Sequence, residues 1–452
     1  MVDQFTRKLN YLMRAIKVFV FILFAFTQCV KAESINISNP SEISNLKGLQ
    51  PGDEVIIASG VYNSAQIKFS GNGTALLPIT LRSESPGGVV FLGESYLQIS
   101  GSFIVVKDFL FRDISPLNGK SIIELRTNNS QLKNCIISGV NTNLDSVKEN
   151  KWVSLYGQKN SVEQCTFIDK KNIGCMLVVW LEKDIVPEHR IINNYFSRPS
   201  VILTPEGEKM NGQECIRIGT SDFSMQRAAC EVTGNSFYRC DAEIEAISNK
   251  SCYNQFKNNL FLETQGALTL RHGNNSLVES NYFIGNNREG TAGIRVIGDH
   301  QTIKNNYFEN IKGKNYQAAI CLIQGVLNSP LNRYFQVKES SVEGNVIKDC
   351  YNGIVVSYGS ASDQSLPVIS TEIFNNTIYN ENPGNYAVVW VDKPETPQVT
   401  FRNNIIYGGK YQNIGEDVLP KTTTKPNLKE VNTIWENIKN NSGALWAPEL
   451  KK

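Results

Sequence analysis

Two glutamates and four basic residues near the middle of this chain are the side chains best suited to chemistry. Glu243 and Glu245 lie in the stretch Asp241–Lys250, where they alternate with small or apolar residues. This period of two is typical of a half-buried strand, so both carboxylates should leave the same face. Two like charges that close repel each other, and a cation between them would remove the repulsion. Oxygen-only ligands favour a hard ion, calcium above all.

The four basic residues recur at similar places in a repeat with the pattern apolar-x-x-Asn-x-apolar. Lys250 and His272 each lie nine residues before a repeat asparagine. Arg271 lies ten residues before one, and Arg295 lies eleven before the next. Stacked repeats would therefore bring all four into one basic column beside the glutamates. This coincidence of register favours a functional site over unrelated surface charges.

Each of these residues also has a plainer interpretation when it is taken alone. Glu243 and Glu245 could form a solvated strand face, and a single Lys or Arg on a strand is usually a solvated charge. His272 could be a structural histidine. Glu214, in the stretch Asn211-Gly-Gln-Glu214, could be a loop acid, a group behind a metal ligand, or a metal ligand itself.

The repeat indicates which elements would position these side chains. Its copies are 22 to 41 residues apart, with strand-like segments and no helical periodicity between them. Such a period is typical of a solenoid of parallel β-strands. The asparagines suit turns, because they can bond along the stack or tolerate a left-handed backbone. The aligned positions are Phe109, Cys135, Cys165, Asn194, Asn235, Asn259, Asn281, Asn306, Asn345, Asn376 and Asn404.

The predicted fold is therefore all-β, a single-stranded right-handed parallel β-helix with a short N-terminal capping helix. That helix should begin at Asn39-Pro40 and end near Leu49. We expect the β-helix domain over residues 33–409, and a C-terminal cap with a loose tail over 410–452. The two long intervals, before Asn235 and before Asn345, should loop out of the stack.

Residues 1–32 have the features of a secretory signal. A basic start precedes a short apolar run, Val18–Phe26, and a small-residue exit at Ala32. The run is too short for a stable membrane span. We expect an exported protein that is periplasmic, secreted or on the cell surface. Cys29 could carry a lipid anchor, but Gln28 before it fits such a signal poorly, so anchoring is the less favoured reading.

Charge and cysteine usage exclude other classes of protein. Residues 1–32 hold five basic residues and one acid, and without them the formal charge changes from +2 to −2. Such a surface has no general attraction for nucleic acid. Nine cysteines then remain, and Cys135 and Cys165 stand in for the repeat asparagine, which predicts buried thiols rather than disulfides. No CxxC pair indicates zinc. We expect a monomer.

The central motifs resemble those of polysaccharide lyase family 6, which holds alginate lyases and the chondroitinase B type of dermatan lyase. The matching stretches are 211–219, 243–245, Lys250 and 266–273. The resemblance covers most of the chain after residue 32. The combined motif is specific even though each piece alone is weak. The form Asn211-Gly-Gln-Glu214 is more similar to the alginate-cleaving members.

This resemblance implies a role for each candidate residue. Lys250 matches the general base and Arg271 the general acid. The matching calcium ligands are Asn211, Glu243 and Glu245, and Glu214 is a candidate fourth. The implied substrate-binding residues are Arg217, His272 and Arg295. The expected cofactor is calcium, and the expected partner is an anionic uronate polysaccharide.

The chemistry of lytic cleavage explains these residue types. The reaction removes the proton at C5 of a uronate and expels the oxygen linked at C4. Calcium on the substrate carboxylate would offset the charge that develops. Lys250 must be neutral to accept the proton. Arg271 is an awkward proton donor, so a water relay or a purely electrostatic role stays open.

The sequence therefore predicts a calcium-dependent lyase for a uronate polysaccharide, with alginate as the leading substrate. A lyase for dermatan sulfate or another glycosaminoglycan is the enzymatic alternative. A non-catalytic β-helix that binds glycans is an alternative from another class. The pairing of Lys250 with Arg271 favours an enzyme, because a binding module has no need of a base beside an acid.

Overall fold

The chain winds through successive coils, and each coil adds one strand to each of three parallel sheets. The computed structural model describes residues 32–115, 119–139 and 148–451. The signal prediction therefore lies almost wholly outside the described residues. Connections between parallel strands are right-handed in nearly all proteins. The predicted right-handed parallel β-helix is confirmed.

The three sheets are numbered here in the order in which a coil passes through them. Sheet 1 has 14 strands, namely Ser34–Ile37, Glu54–Ile57, Ile79–Ser83, Ile104–Lys107, Gln131–Lys133, Ser161–Glu163, Arg190–Ile192, Glu231–Thr233, Gln255–Lys257, Leu277–Glu279, Thr302–Lys304, Ser341–Glu343, Thr371–Phe374 and Val399–Arg402. Sheet 2 has 13 strands, namely Gly60–Asn63, Val89–Gly93, Phe109–Ile114, Ile136–Ser138, Thr166–Ile168, Tyr195–Ser197, Ser236–Tyr238, Leu260–Leu262, Tyr282–Ile284, Tyr307–Glu309, Val346–Lys348, Thr377–Tyr379 and Ile405–Tyr407. Sheet 3 has 13 strands, namely Gln66–Asn72, Tyr96–Ser102, Ile123–Asn128, Val153–Tyr156, Leu177–Val179, Ile216–Ile218, Glu245–Lys250, Ala267–His272, Ile294–Val296, Ile320–Ile323, Asn352–Tyr358, Tyr386–Trp390 and Lys410–Gln412.

The repeat asparagines form a ladder at the turn between sheets 1 and 2. Asn235 donates from its backbone N–H and from Nδ2 to Oδ1 of Asn259, at 3.0 and 2.9 Å. The same pair of bonds recurs between Asn259 and Asn281. The predicted bonding along the stack is confirmed. The left-handed backbone belongs to the preceding residue, as at Asn258 with φ 52°.

The interior is packed by side chains of like type, stacked from coil to coil. Six phenylalanines of sheet 2 form one continuous stack with ring centroids 4.5 to 5.1 Å apart. They are Phe167, Phe196, Phe237, Phe261, Phe283 and Phe308. The nine cysteines of the described chain are all buried and free, as the sequence predicts.

The N-terminal end is closed by a short 3₁₀-helix, Pro40–Asn45. The Asn39 side chain accepts a bond from the Ser41 N–H, and the Glu42 carboxylate accepts one from the Asn39 N–H. This reciprocal capping satisfies donors that a helix start leaves free. The predicted capping helix is confirmed, although it ends four residues earlier than expected.

The C-terminal segment returns along the outside of sheet 2. Its only α-helix in the described chain, Asn432–Asn441, packs through Trp435 and Ile438 on a cluster that includes Ile284. Further on, the Trp446 indole donates to the Asn134 carbonyl at 2.8 Å. This packed segment differs from the loose tail that we expect from the sequence, because its contacts are to coils far away along the chain.

The remaining short elements lie in excursions from the stack. They are the 3₁₀-helices Ser221–Phe223, Asn315–Gln317 and Pro448–Leu450, and the antiparallel pair Gly325–Val326 with Gln364–Leu366. Both long intervals leave the stack as predicted, and the first returns to it just before Ile216–Ile218. Within the described residues, no helix is long and apolar enough to cross a membrane.

The ladder predicts a measurable stability loss for Asn281→Ala. Asn281 Oδ1 accepts two buried N–H groups of Asn259, and both would lose their acceptor. Each unsatisfied buried donor costs about 1–3 kcal/mol. Denaturant unfolding should show a lower midpoint, whereas Asn440→Ala on the exposed helix face should leave it nearly unchanged. Equal midpoints for the two variants would contradict the ladder's structural role.

Candidate active site

Three buried glutamates meet on the outer side of sheet 3. One carboxylate oxygen from each of Glu214, Glu243 and Glu245 lies within 4.8 Å of the others. Their exposed fractions are 1%, 7% and 5%. Glu243 and Glu245 come from one coil, and Glu214 comes from the preceding coil, where the first long interval rejoins the stack. Glu214 is therefore no ordinary loop acid, because it lies inside the cluster.

The cluster carries more negative charge than its buried position can stabilise alone. Burial, and then the charges of Glu214 and Glu245, raise the pKa of Glu243 to about 9. Two backbone N–H groups oppose this, those of Gly212 and Gln213, which donate to Glu243 Oε2 at 3.0 and 2.8 Å. Three converging carboxylates without nitrogen or sulfur ligands suit a hard divalent cation. The residues present fit such an ion.

Asn211 lies at the rim of this cluster. It immediately precedes Gly212, whose N–H binds Glu243, and its side chain is exposed. The turn Asn211–Gln213 therefore connects the cluster to solvent. Gly212 has a φ of 89°, a conformation that a residue with a side chain rarely adopts.

Two buried residues behind the cluster were not predicted from the sequence. The Cys175 thiol donates to Glu214 Oε2 at 3.2 Å. The Arg198 guanidinium is fully buried and donates to the carbonyls of Gly174 and Asn172 at 2.9 and 2.7 Å. Cys175 therefore contacts the Glu214 carboxylate directly, whereas Arg198 binds the turn before Cys175 and reaches the Glu214 carbonyl at 3.5 Å. Neither had a signal in the sequence, since each lies in a turn outside the repeat pattern.

The four predicted basic residues lie beside the cluster in two rows instead of one column. Lys250 pairs with His272 on the next strand. Arg295 aligns with Thr269, two residues before Arg271. Two β-bulges cause this arrangement. Where Glu245–Lys250 pairs with Ala267–His272, Ala246 of the first strand and Arg271 of the second have no partner on the other strand. The first row contains Lys250 and His272, and the second contains Arg217 and Arg295. On the strand of Lys250 the two rows are two residues apart, so both lie on the same face of the sheet.

Arg271 is held in place by the second long interval. Its guanidinium donates to the carbonyls of Arg333 and Asn332 at 3.2 and 3.3 Å, and it lies 4.4 Å from the Tyr334 ring centroid. Its Nε is 3.8 Å from Glu245 Oε1. Burial lowers the pKa of Arg271. This environment makes the guanidinium a better proton donor than an exposed one.

His272 is neutral at physiological pH. Burial, and then the charges of Arg271 and Lys250, lower its pKa to about 3. Its Nε2 lies 2.8 Å from Arg271 Nη1 and accepts the bond, because the guanidinium has only donors. Nδ1 therefore carries the ring proton, and it is buried without a hydrogen-bond partner among the described residues.

The two arginines of the second row combine ionic and aromatic contacts. Arg295 donates to Glu245 Oε1 at 3.3 Å and to the Tyr334 hydroxyl at 3.1 Å. Arg217 lies 5.5 Å from the Trp180 ring centroid. Neither Trp180 nor Tyr334 was predicted from the sequence, because both lie outside the repeat. The long interval before Asn345 was the available signal for Tyr334.

Metal binding near pH 7 should release close to one proton. Metal-free Glu243 is protonated because its pKa is near 9, and a cation binds the ionised form. Apparent calcium affinity should therefore rise about tenfold per pH unit as the pH increases toward that value. Calorimetric titration in two buffers of different ionisation enthalpy measures the proton count. Glu372→Gln, far away on sheet 1, is the control that should change nothing, and a proton count of zero would contradict the prediction.

Comparison with known proteins agrees with this geometry. The family model described as Chondroitinase B matches residues 37–443. Among solved structures, the PL6 family alginate lyase AlyGC has a TM-score of 0.80 and 30% identity, over 88% of this chain and 54% of its own. The chain thus spans about half the length of that enzyme. The chain matches no curated protein sequence at a significant level.

A second solved structure covers both chains almost completely. It is a mannuronic acid specific polysaccharide family 6 lyase from human gut microbiota, with a TM-score of 0.74 and 25% identity over 92% of this chain and 97% of its own. The family predicted from the motifs is confirmed over nine tenths of the sequence. The chain belongs to polysaccharide lyase family 6, the chondroitinase B family.

Proposed function

We propose that this protein is a calcium-dependent lyase that cleaves uronate polymers by β-elimination, with alginate as its main substrate. The observation that carries the proposal is the meeting of Lys250, Arg271 and His272 with a buried three-carboxylate cluster on one face. Glu245 links the carboxylate cluster to the basic residues, because its Oε1 lies 3.8 Å from Arg271 Nε and 3.3 Å from Arg295 Nη1. Two proteins of similar structure, an alginate lyase and a mannuronic acid specific lyase, support alginate as the substrate.

The reaction needs one proton acceptor and one group at the leaving oxygen. Lys250, acting as the base, takes the C5 proton, and the electron pair left behind forms the C4–C5 double bond. The C4–O bond breaks, and the leaving oxygen gains a proton from Arg271 or from a water beside it. Arg271 suits this end of the reaction because burial lowers its pKa.

The acidic cluster explains how the C5 proton of the uronate, which is only weakly acidic, could be removed. A calcium ion held by Glu214, Glu243, Glu245 and Asn211 would supply positive charge to the substrate carboxylate. Arg217 and Arg295 flank the cluster in one row and would hold the same or the neighbouring carboxylate. Neutral His272 would keep Arg271 in position by accepting its hydrogen bond at Nε2, and its Nδ1–H would donate a hydrogen bond to the sugar.

A glycosaminoglycan such as dermatan sulfate is the second candidate substrate. The matching family model carries the description Chondroitinase B, which favours this alternative. Both polymers offer a uronate with an acidic C5 proton and a carboxylate next to it. The same machinery would therefore serve either, and the loops around the site decide between them.

We further propose that the protein acts as an exported monomer. The support is the signal-like composition of residues 1–32, with lipid anchoring at Cys29 as the less favoured variant. Export suits the proposed activity, because an exported enzyme can reach a polymer outside the cell. Purification of the mature protein from the producing cells, followed by N-terminal sequencing, tests this placement.

Incubation with alginate and with dermatan sulfate tests the function directly. An unsaturated uronate absorbs in the ultraviolet, so turnover appears as rising absorbance. We expect rapid turnover of alginate, loss of turnover after chelation, and recovery with calcium. The fold should survive chelation, because its core does not depend on the ion. Full activity in a thoroughly chelated sample would disprove calcium dependence.

Substitution of Lys250 separates charge from basicity. Lys250→Ala should lower kcat by at least about 10²–10⁴-fold, the usual cost of losing a general base. Lys250→Arg should fail almost as badly, because a guanidinium keeps the charge but is a poor base. Calcium binding should persist in both. Near-normal turnover of the Arg variant would assign Lys250 an electrostatic role and move the base to His272.

A further inference from the structure

We infer that the substrate groove is closed at one end, so that the enzyme acts near a terminus of the polymer and releases short products. This inference rests on the proposed function. Two loops, one carrying Gly325–Val326 and Arg333 and the other carrying Asp363 and Gln364–Leu366, form a wall over the face of sheet 3 on the C-terminal side of the site. On the N-terminal side, no loop among the described residues forms such a wall along the row that contains Lys250.

Sheet 3 presents buried apolar side chains on its outer face beyond Arg295. The residues that follow Arg295 in register are Cys321, Val355 and Val389, with exposed fractions of 0%, 1% and 6%. They form a cluster of their own, separate from the interior core. The side chains that cover them are Tyr316, Tyr334, Tyr358 and Tyr386. A polymer cannot lie on this part of the sheet.

The covering loops are fastened to each other and to the site. Gly325–Val326 pairs with Gln364–Leu366 as a short antiparallel ribbon. Arg333 forms an ion pair with Asp363, with Nε 3.0 Å from Oδ2. Since Arg271 donates to the carbonyl of Arg333, the wall reaches the reacting groups themselves. The wall is therefore a fixed part of the site.

A small cavity remains between the wall and the acidic cluster. Its volume is about 180 Å³, below the roughly 300–1,000 Å³ of pockets for larger ligands. Arg295 lines it, and the Arg295 Nε is buried without a partner among the described residues. The other polar residues of the lining are Tyr316, Tyr334, Tyr358, Ser360 and Gln364. This cavity has the size and polarity for a terminal uronate whose carboxylate binds Arg295.

On the opposite side of the site, the described residues form a continuous row on the outer face of sheet 3. From Lys250, this row passes through Gly219, which has no side chain, to Trp180. Trp180 stacks on Tyr156 at an interplanar angle of 12°, and Arg126 lies 3.9 Å from the Tyr156 ring centroid. The Arg126 side chain is 43% exposed. Coils are about 4.8 Å apart, so the row extends about 19 Å beyond Lys250.

The two sides together define how a polymer would bind. The body of the polymer would lie over Gly219, Trp180, Tyr156 and Arg126, where cationic groups and the edges of aromatic rings are accessible. Its end would enter the cavity beside Arg295. Cleavage between these two regions releases only what the cavity holds. The structure thus points to a terminal mode of cleavage with short products from the first turnover.

Binding of end-tagged oligouronates tests the closed end without requiring turnover. Lys250→Ala protein is titrated with one oligouronate that carries a bulky tag at the reducing end, and with one that carries it at the non-reducing end. We expect one tag position to weaken binding at least about tenfold, and the other to leave it near that of the untagged compound. Equal affinities for the two tagged forms, or no binding of the untagged form, would overturn the inference.

Product analysis with a loosened wall supplies an independent test. The parent enzyme should generate short products while polymer viscosity falls slowly. Asp363→Asn breaks the ion pair to Arg333 and should lengthen the early products. Glu372→Gln is the matched control, since it breaks an exposed ion pair with Arg402, 3.0 Å long, on sheet 1.

The outcomes distinguish this inference from the proposed function. Early long products and a rapid fall in viscosity from the parent enzyme would disprove the closed end and leave the lyase activity intact. Absence of ultraviolet absorbance with every uronate polymer would disprove the proposed function. In that case the tagged-oligouronate titration still decides whether the groove is closed.

Discussion

Strand-to-strand register between coils is the constraint on which every other feature depends. Parallel pairing places each residue directly above its counterpart one coil earlier, about 4.8 Å away. Inside the β-helix, this spacing brings equivalent residues of successive coils into contact, which produces the asparagine ladder and the phenylalanine stack. Outside, it brings Glu214, at the end of the first long interval, beside Glu243 on the next coil. A register error of one residue would turn the carboxylates inward.

The site is placed where that regularity is broken. The bulges at Ala246 and Arg271 shift the pairing by one residue and then restore it. Both long intervals that lie next to sheet 3 supply groups the repeat cannot provide, Glu214 from one and Tyr334 from the other. The regular coils act as a rigid support, and the irregular segments give the site its shape and charge.

The repeat made much of the fold predictable from the sequence, because the asparagines mark one turn of each coil. Every aligned position from Phe109 to Asn404 falls in register in the structure. The candidate side chains were also identifiable, since the period-two glutamates and the basic offsets follow from the same repeat. The single basic column was wrong in detail, because spacing alone cannot reveal a bulge. Trp180, Tyr334, Cys175 and Arg198 had no periodic signal, since loop and turn contacts depend on tertiary packing.

The return path of the C-terminal segment has a consequence for cooperativity. Coils of a solenoid contact only their neighbours, so such a stack can fray from its ends like a one-dimensional array. Here Gly443 donates to the Asn193 carbonyl, and Trp446 reaches Asn134 and the backbone at Gly87, so one segment spans several coils at once. These long-range contacts couple units that are otherwise independent. This segment therefore favours cooperative unfolding of the coils between Gly87 and Asn193.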